Sequence, residues 1–248
     1  MNRLCLWIKT ALFYGVGFLI SLFFSLLMLP FTFLPEKTRR DNRFYFWLGK
    51  IWSVGLVKLS FIRYHVKNSE NLPTYPNEPA IILINHSSAL DIPLVEVLLQ
   101  GYPHIWLSKH EYRNIPLLGI LLRRMHLLID RNDPSKQLRL IKQACSLAKE
   151  NARHLVLFPE GTRHEDGQIH DFFEGFATFS QHLKRPVIPI VIAGLNKICP
   201  KHSLMIDSSK CLVKISVGKP MYADGKTRQE FVNEVRGWFV REMAKFNA

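Results

Sequence analysis

Between Lys9 and Glu36 the chain carries no charged residue, and the stretch contains ALFYGVGFLISLFFSLLMLPFTFL. As a helix such a run is long enough to cross a hydrocarbon core of about 30 Å. A cleaved signal peptide would be shorter, and would end in a small-x-small site rather than in Leu29, Pro30 and Phe31. Membrane association is therefore expected for the N-terminus. Arg3 and Lys9 precede the run, while Lys37, Arg39, Arg40 and Arg43 follow it. This bias favours the cytoplasmic side for the rest of the chain. A helix that enters one leaflet and turns back near Pro30 and Pro35 fits the same residues. Residues 41–61 mix aromatics with spaced basic residues and read as a helix on the membrane surface, with Phe44, Phe46 and Trp52 facing the interface. A core helix is the other reading. The expected division is a membrane-associated segment, 1–61, and a globular domain, 62–248.

Net charge is +13, from 33 basic and 20 acidic residues. Such a surface suits nucleic acid or an anionic membrane leaflet. No nucleic-acid-reading motif is present, and the apolar N-terminus selects anionic membrane lipids as the expected partner. Cys5, Cys145, Cys199 and Cys211 form no CxxC pair and no metal-like cluster with histidine, so no metal is expected. They suit a reducing compartment and behave as small apolar residues.

Beyond residue 61 short apolar runs alternate with helical patterns. Strands are expected at 62–67, 80–84, 104–108, 126–130, 154–158, 187–193 and 211–217. Helices are expected around 91–100, 116–124, after an Asp133–Pro134 cap, at 172–183 and at 227–246. The fold class implied is α/β: a central, mostly parallel sheet flanked by helices, with N-terminal membrane-associated helices.

Within this layout NHSSALD (85–91) raises a question about His86 and Asp91. With 10 His and 20 acidic residues in 248, chance supplies about 0.8 His-x4-acid pairs. The chain holds three: His65/Glu70, His86/Asp91 and His202/Asp207. His86 stands apart because it follows the buried run AIILI (80–84), where a strand gives way to a helix. In open α/β folds sites lie beyond the carboxyl ends of strands. Ser87 and Ser88 could cap that helix. Five residues of continuous helix would set the two side chains about 140° apart, so only a turn lets them meet. An imidazole with its ordinary pKa of about 6.5 can take a proton from a hydroxyl, and a carboxylate on its other nitrogen steadies the resulting cation. A histidine bonded back to the chain at a helix start explains the same residues, and both readings stand at this point.

A second stretch, LVLFPEGTRHEDGQ (155–168), runs from an apolar strand into Pro159, Glu160, Gly161, Thr162 and Arg163. Gly161 allows a tight turn that presents backbone N–H groups, and Arg163 offers a fork suited to phosphate.

NHSSALD and FPEGTR, about seventy residues apart, together resemble the 1-acylglycerol-3-phosphate O-acyltransferase family of glycerolipid acyltransferases. SKHEYRNIPLLG (108–119) leading to IDRN (129–132), and VIPIVIAG (187–194), resemble the family's two other blocks in the same order. The resemblance covers about residues 62–220. It implies acyl transfer from acyl-CoA or acyl-carrier protein to the sn-2 hydroxyl of a lysophospholipid, with no cofactor. It makes His86 the general base and Asp91 its orienter. It assigns Glu160, Gly161, Thr162 and Arg163 to the acceptor's phosphate, joined by Arg131 and Lys109. The LLGILL segment around Gly119 reads as core or as the wall of an acyl-chain tunnel. Two departures stand out: Ala89 where relatives often carry an aromatic, and Phe173–Glu174 where a basic pair commonly precedes the glycine. The acceptor expected first is 1-acylglycerol-3-phosphate, giving phosphatidate; the second departure weakens the case for so anionic an acceptor and makes a lysophospholipid with a larger head group the alternative. A non-catalytic protein docking on anionic lipid remains the reading from a different class. A serine hydrolase would need a G-x-S-x-G elbow, which the chain lacks.

Overall fold

The apolar runs between polar turns become the strands of one sheet. The computed structural model describes residues 3–74, 76–129, 141–148 and 153–247. Its strands are β1 (Tyr64–Lys67), β2 (Ile81–Ile84), β3 (His104–Lys109), β4 (Leu127–Ile129), β5 (His154–Leu157), β6 (Val187–Ala193) and β7 (Val213–Val217). They lie in the order β1-β7-β6-β2-β5-β3-β4. Each neighbouring pair is parallel except β6–β7. Every residue of β2, β5 and β6 is buried, as expected for strands covered on both faces.

Helices α4 (Asp91–Leu98), α5 (Leu118–Met125), α7 (Gly175–Leu183), α8 (Leu195–Ile198) and α9 (Arg228–Asn247) flank the sheet, and residues 141–148 are also helical (α6). Successive residues of β2 point to opposite faces. Ile81 and Leu83 join Phe176, Phe231 and Phe239 beneath α7 and α9. Ile82 and Ile84 join Leu94, Val95 and Leu98 of α4 on the other side. The helix expected from residue 172 begins at Gly175, and the expected Asp133–Pro134 cap lies outside the described residues.

The N-terminal segment forms α1 (Arg3–Met28), α2 (Glu36–Arg40) and α3 (Arg43–Leu59). α1 lies along α3, and α3 packs on α4. At Gly17 a Cβ would sit 3.4 Å from Leu56, so this glycine is where the two helices approach. Trp52 Nε1 donates to Ser21 Oγ (3.0 Å), and the Ile206 N–H donates to Thr10 Oγ1 (3.2 Å). Opposite these contacts Trp7, Phe18, Leu19 and Phe23 are each more than half exposed. Among the described residues α1 with its continuation to Phe33 is the one helix long and apolar enough to cross a bilayer.

Two expectations need correcting. Phe46 does not share the outward face of α3 with Phe44, because residues two apart on a helix point about 200° apart. Phe44 instead stacks with exposed Trp47 (5.4 Å), while Phe46 is buried against the His104 ring (4.9 Å). Arg39 and Arg40, counted among the charges flanking the apolar run, are buried too. Arg39 donates to the carbonyls of Arg124 and Leu34, and Arg40 to that of Met125 while pairing with Glu36. These two arginines clamp α2 to the end of α5 instead of facing a lipid surface.

Candidate active site

β2 and β5 are neighbours, so the loops leaving their carboxyl ends meet. At the end of β2, Asn85 pins the chain to β6: its Nδ2 donates to Ile192 O (2.9 Å) and its Oδ1 accepts from Ile192 N (2.8 Å). His86 follows, and its Nδ1 lies 2.8 Å from Asp91 Oδ2. The meeting is possible because α4 begins only at Asp91, leaving residues 86–90 as a turn. The expected capping runs the other way. No serine side chain caps α4; Asp91 Oδ2 instead accepts from the N–H groups of Ser87 (2.7 Å) and Ser88 (2.8 Å). That carboxylate is fully buried at the amino end of the helix, where the dipole favours negative charge. With Nδ1 held, Nε2 of His86 is left with no partner among the described residues, and the ring is 14% exposed into a cavity.

The loop after β5 supplies the opposite wall. Phe158 stacks on the His86 ring at 3.9 Å and 13°, and on Trp106 at 5.4 Å. Glu160 is buried, and its two oxygens accept from the N–H groups of His86 (2.8 Å) and His170 (3.0 Å). Burial pushes its carboxyl above the ordinary range, against the pull of those two N–H bonds. Glu160 thus ties the two loops together and does not turn toward a phosphate, as the sequence reading had it. Gly161 adopts φ +71°, the left-handed conformation that lets the chain reverse, and its N–H closes the turn on Phe158 O (3.1 Å). Thr162 and Arg163 follow, partly exposed, and Arg163 makes no hydrogen bond or ion pair with the described residues. Lys109 ends β3, the strand beside β5. Arg131 lies outside the described residues. Phe173 N donates to Pro159 O (2.9 Å), which places Phe173–Glu174 directly behind the turn.

A cavity of about 450 Å³ opens from this corner. His86, Lys109, Phe158 and Gly161 line one part of it; Phe24 and Met28 of α1, Tyr45 and Phe46 of α3, and Leu118, Leu121 and Leu122 of α5 line the rest. The boundary expected at 61/62 therefore passes through a single cavity. Gly119 serves packing: a Cβ there would lie 2.1 Å from Arg113 O. The other two His-x4-acid pairs do not form, and both histidines stand exposed. Sequence reasoning missed a second polar group in the cavity wall, Glu96 with His104 and Trp106. Its signal was one acidic residue inside the otherwise apolar helix after Asp91, DIPLVEVL.

The sequence model of the family described as Acyltransferase matches residues 63–193. The chain is similar to a chloroplastic 1-acyl-sn-glycerol-3-phosphate acyltransferase of Brassica napus, 31% identical over 84% of this chain and 58% of that protein. It is similar to the enzyme of the same name from Pseudomonas aeruginosa, 27% identical over 83% of this chain and 76% of the other. The fold matches the crystal structure of the 1-acyl-sn-glycerophosphate (LPA) acyltransferase of Thermotoga maritima, with TM-score 0.81 at 21% identity and full coverage of both chains. The chain spans less than two thirds of the length of the plant relatives.

Proposed function

This chain belongs to the acyltransferase family, and from that membership we propose that it moves an acyl group from acyl-CoA or acyl-carrier protein to the sn-2 hydroxyl of a lysophospholipid, 1-acylglycerol-3-phosphate first among them. The observation that carries this reading is the His86–Asp91 pair, with Nε2 left open to the cavity. The names of the relatives support the acceptor.

In the reaction, His86 Nε2 takes the proton of the acceptor hydroxyl as its oxygen attacks the thioester carbonyl carbon. Asp91 holds the ring and stabilises the imidazolium. The carbonyl oxygen becomes an oxyanion. Gly161 N–H is already committed to Phe158 O, so the N–H groups of Thr162 and Arg163, which donate to none of the described residues, are the turn's donors for it. Collapse breaks the C–S bond, and the departing thiolate takes the proton from His86. Arg163, Lys109 and Arg131 hold the acceptor's phosphate, Arg163 by a paired fork and Lys109 as a point charge. Glu160 positions His86 through the main chain. The exposed apolar face of α1 seats the protein in the membrane, with the sheet domain on the cytoplasmic side and anionic lipids beneath its basic surface.

A second acceptor class has a specific observation behind it. Phe173 N donates to Pro159 O, so the chain runs from the turn into Phe173–Glu174, and the negative charge of Glu174 there lowers the attraction for a doubly charged phosphate. A lysophospholipid with a larger head group suits that position.

The test is thiol release from acyl-CoA by the purified full-length protein, across a panel of lysolipids, with His86→Ala as control. Turnover with lysophosphatidate that vanishes in the variant is expected. No turnover by the wild type on any acceptor would favour a protein that only docks on anionic lipid, and unchanged turnover in the variant would remove His86 as base.

A further inference from the structure

Glu96 is the acidic residue of α4 that faces into the cavity. Its Oε1 accepts from His104 Nε2 (3.0 Å) and from Trp106 Nε1 (2.7 Å). Its Oε2 receives no hydrogen bond from the described residues. Burial opposes the charge on Glu96, yet the His104 cation and the two donors pull its pKa below the ordinary value. Glu96 is thus a carboxylate, able only to accept. Tyr45, also lining the cavity, makes no side-chain hydrogen bond with the described residues. Burial, and then the nearby Glu96 charge, push its hydroxyl above the ordinary range, so it stays protonated.

A charged pair costs free energy in such a cavity, and hydrophobic residues of similar size would have walled it more cheaply. What the wall of this one cavity holds instead is an acceptor and a hydroxyl. A ligand hydroxyl satisfies both at once, donating to Glu96 Oε2 and accepting from Tyr45. The group lies along the ring stack that starts at His86 and passes through Phe158 to Trp106. A chain whose thioester sits at His86 reaches it several carbons further on.

We propose that Glu96 and Tyr45 form a polar subsite for a hydroxyl borne on the acyl chain of the donor, so that the protein selects hydroxylated acyl thioesters over plain ones of the same length. This rests on the acyl-transfer reading above. A site built to bond a hydroxyl rejects the analogue lacking it, because its own polar groups are then left unpaired.

The experiment uses the full-length protein with acyl-CoA thioesters of one chain length, plain or carrying one hydroxyl at successive carbons, and lysophosphatidate as acceptor. In parallel, plain and hydroxylated fatty acids are bound to the same protein and followed by quenching of tryptophan emission, which needs no turnover. A hydroxyl at one position should raise kcat/KM at least tenfold over the plain chain. Tyr45→Phe, which keeps the ring, should bring the ratio close to one, and Glu96→Gln should lower it. Equal treatment of plain and hydroxylated chains at every position, in turnover and in binding, overturns the subsite. So does a preference seen only when the hydroxyl is carried by the lysolipid, since the donor is then not the occupant. Selective binding without turnover on any donor would overturn the acyl-transfer reading and leave the subsite in place.

Discussion

Two histidine–carboxylate pairs lie close to one cavity, with separations of 2.8 Å for His86–Asp91 and 3.0 Å for His104–Glu96, yet only the first is placed to exchange a proton. His104 opens β3, with Nδ1 on Tyr102 O (2.8 Å) and Nε2 on Glu96. Both ring nitrogens are committed. The attraction of Glu96 wins over burial and holds the ring charged. His86 lies two residues past the end of β2, in a turn, and among the described residues only its Nδ1 is committed. A general base needs a bonded nitrogen and a free one; the turn after β2 leaves both to His86, whereas Tyr102 and Glu96 occupy both nitrogens of His104.

The comparison breaks most sharply at its centre. His86→Ala should lower turnover by about a thousandfold, the range expected for loss of a general base, while the melting temperature stays close to that of the wild type. Should turnover survive, the free Nε2 has no catalytic meaning. Asp91→Asn should cost about a hundredfold or more in kcat with KM for both substrates little changed, since the ring loses its orienting charge but not its stacking on Phe158. His104→Ala should do the converse. It strands Glu96 as an unpaired buried charge, for a loss of about 3 kcal/mol in denaturant unfolding. A stable His104→Ala protein with lost turnover would reverse the two assignments.

Acid tests the surroundings of His104 separately. His126 and His154 are pushed down to about 3, by burial first and then by the nearby His104 charge. Each accepts a main-chain N–H, from Trp106 and Ala80 respectively. In the unfolded chain they bind protons below about 6.5, whereas the folded chain resists until about 3. Stability is therefore whole above 6.5 and declines as pH falls, by about 2 kcal/mol per histidine at pH 5. Unfolding midpoints between pH 7 and 5 measure this, and His126→Gln should flatten the slope. The smallest effect belongs to Arg163→Ala, with roughly a tenfold rise in KM for phosphate-bearing acceptors. KM for the thioester should hold, and an equal rise in both would deny Arg163 its phosphate.

Some of this could be seen in the residues alone. Fully apolar runs such as AIILI and VIPIVIA had no polar side to offer solvent, and became central strands. His86 and Asp91 stood out because a turn was required between strand and helix, and the turn is there. Other features depend on partners far away in the chain. Glu160 is placed at the phosphate only by the FPEGTR resemblance; its carboxylate turns inward because the N–H groups of His86 and His170 are there to receive it. Arg39 and Arg40 look like membrane-flanking charges until Arg124 and Met125, eighty-five residues on, offer their carbonyls. Phe46 could have been placed by helix geometry, since it points away from Phe44. Glu96 offered a signal, a charge within an apolar helix, whose meaning depended on His104 and Trp106 arriving beside it.

α1 has one further consequence, for anyone who wants the protein free of detergent. Cutting the chain before α3 would remove Phe24 and Met28 from the cavity wall and Thr10 from its bond to Ile206. What remained would be a trough open along one side, with a freshly bared apolar floor. A water-soluble version is better reached by repainting the helix than by discarding it. Polar residues at Phe18, Leu19 and Phe23 would leave Gly17 against Leu56 and Ser21 beneath Trp52, and the enclosure intact.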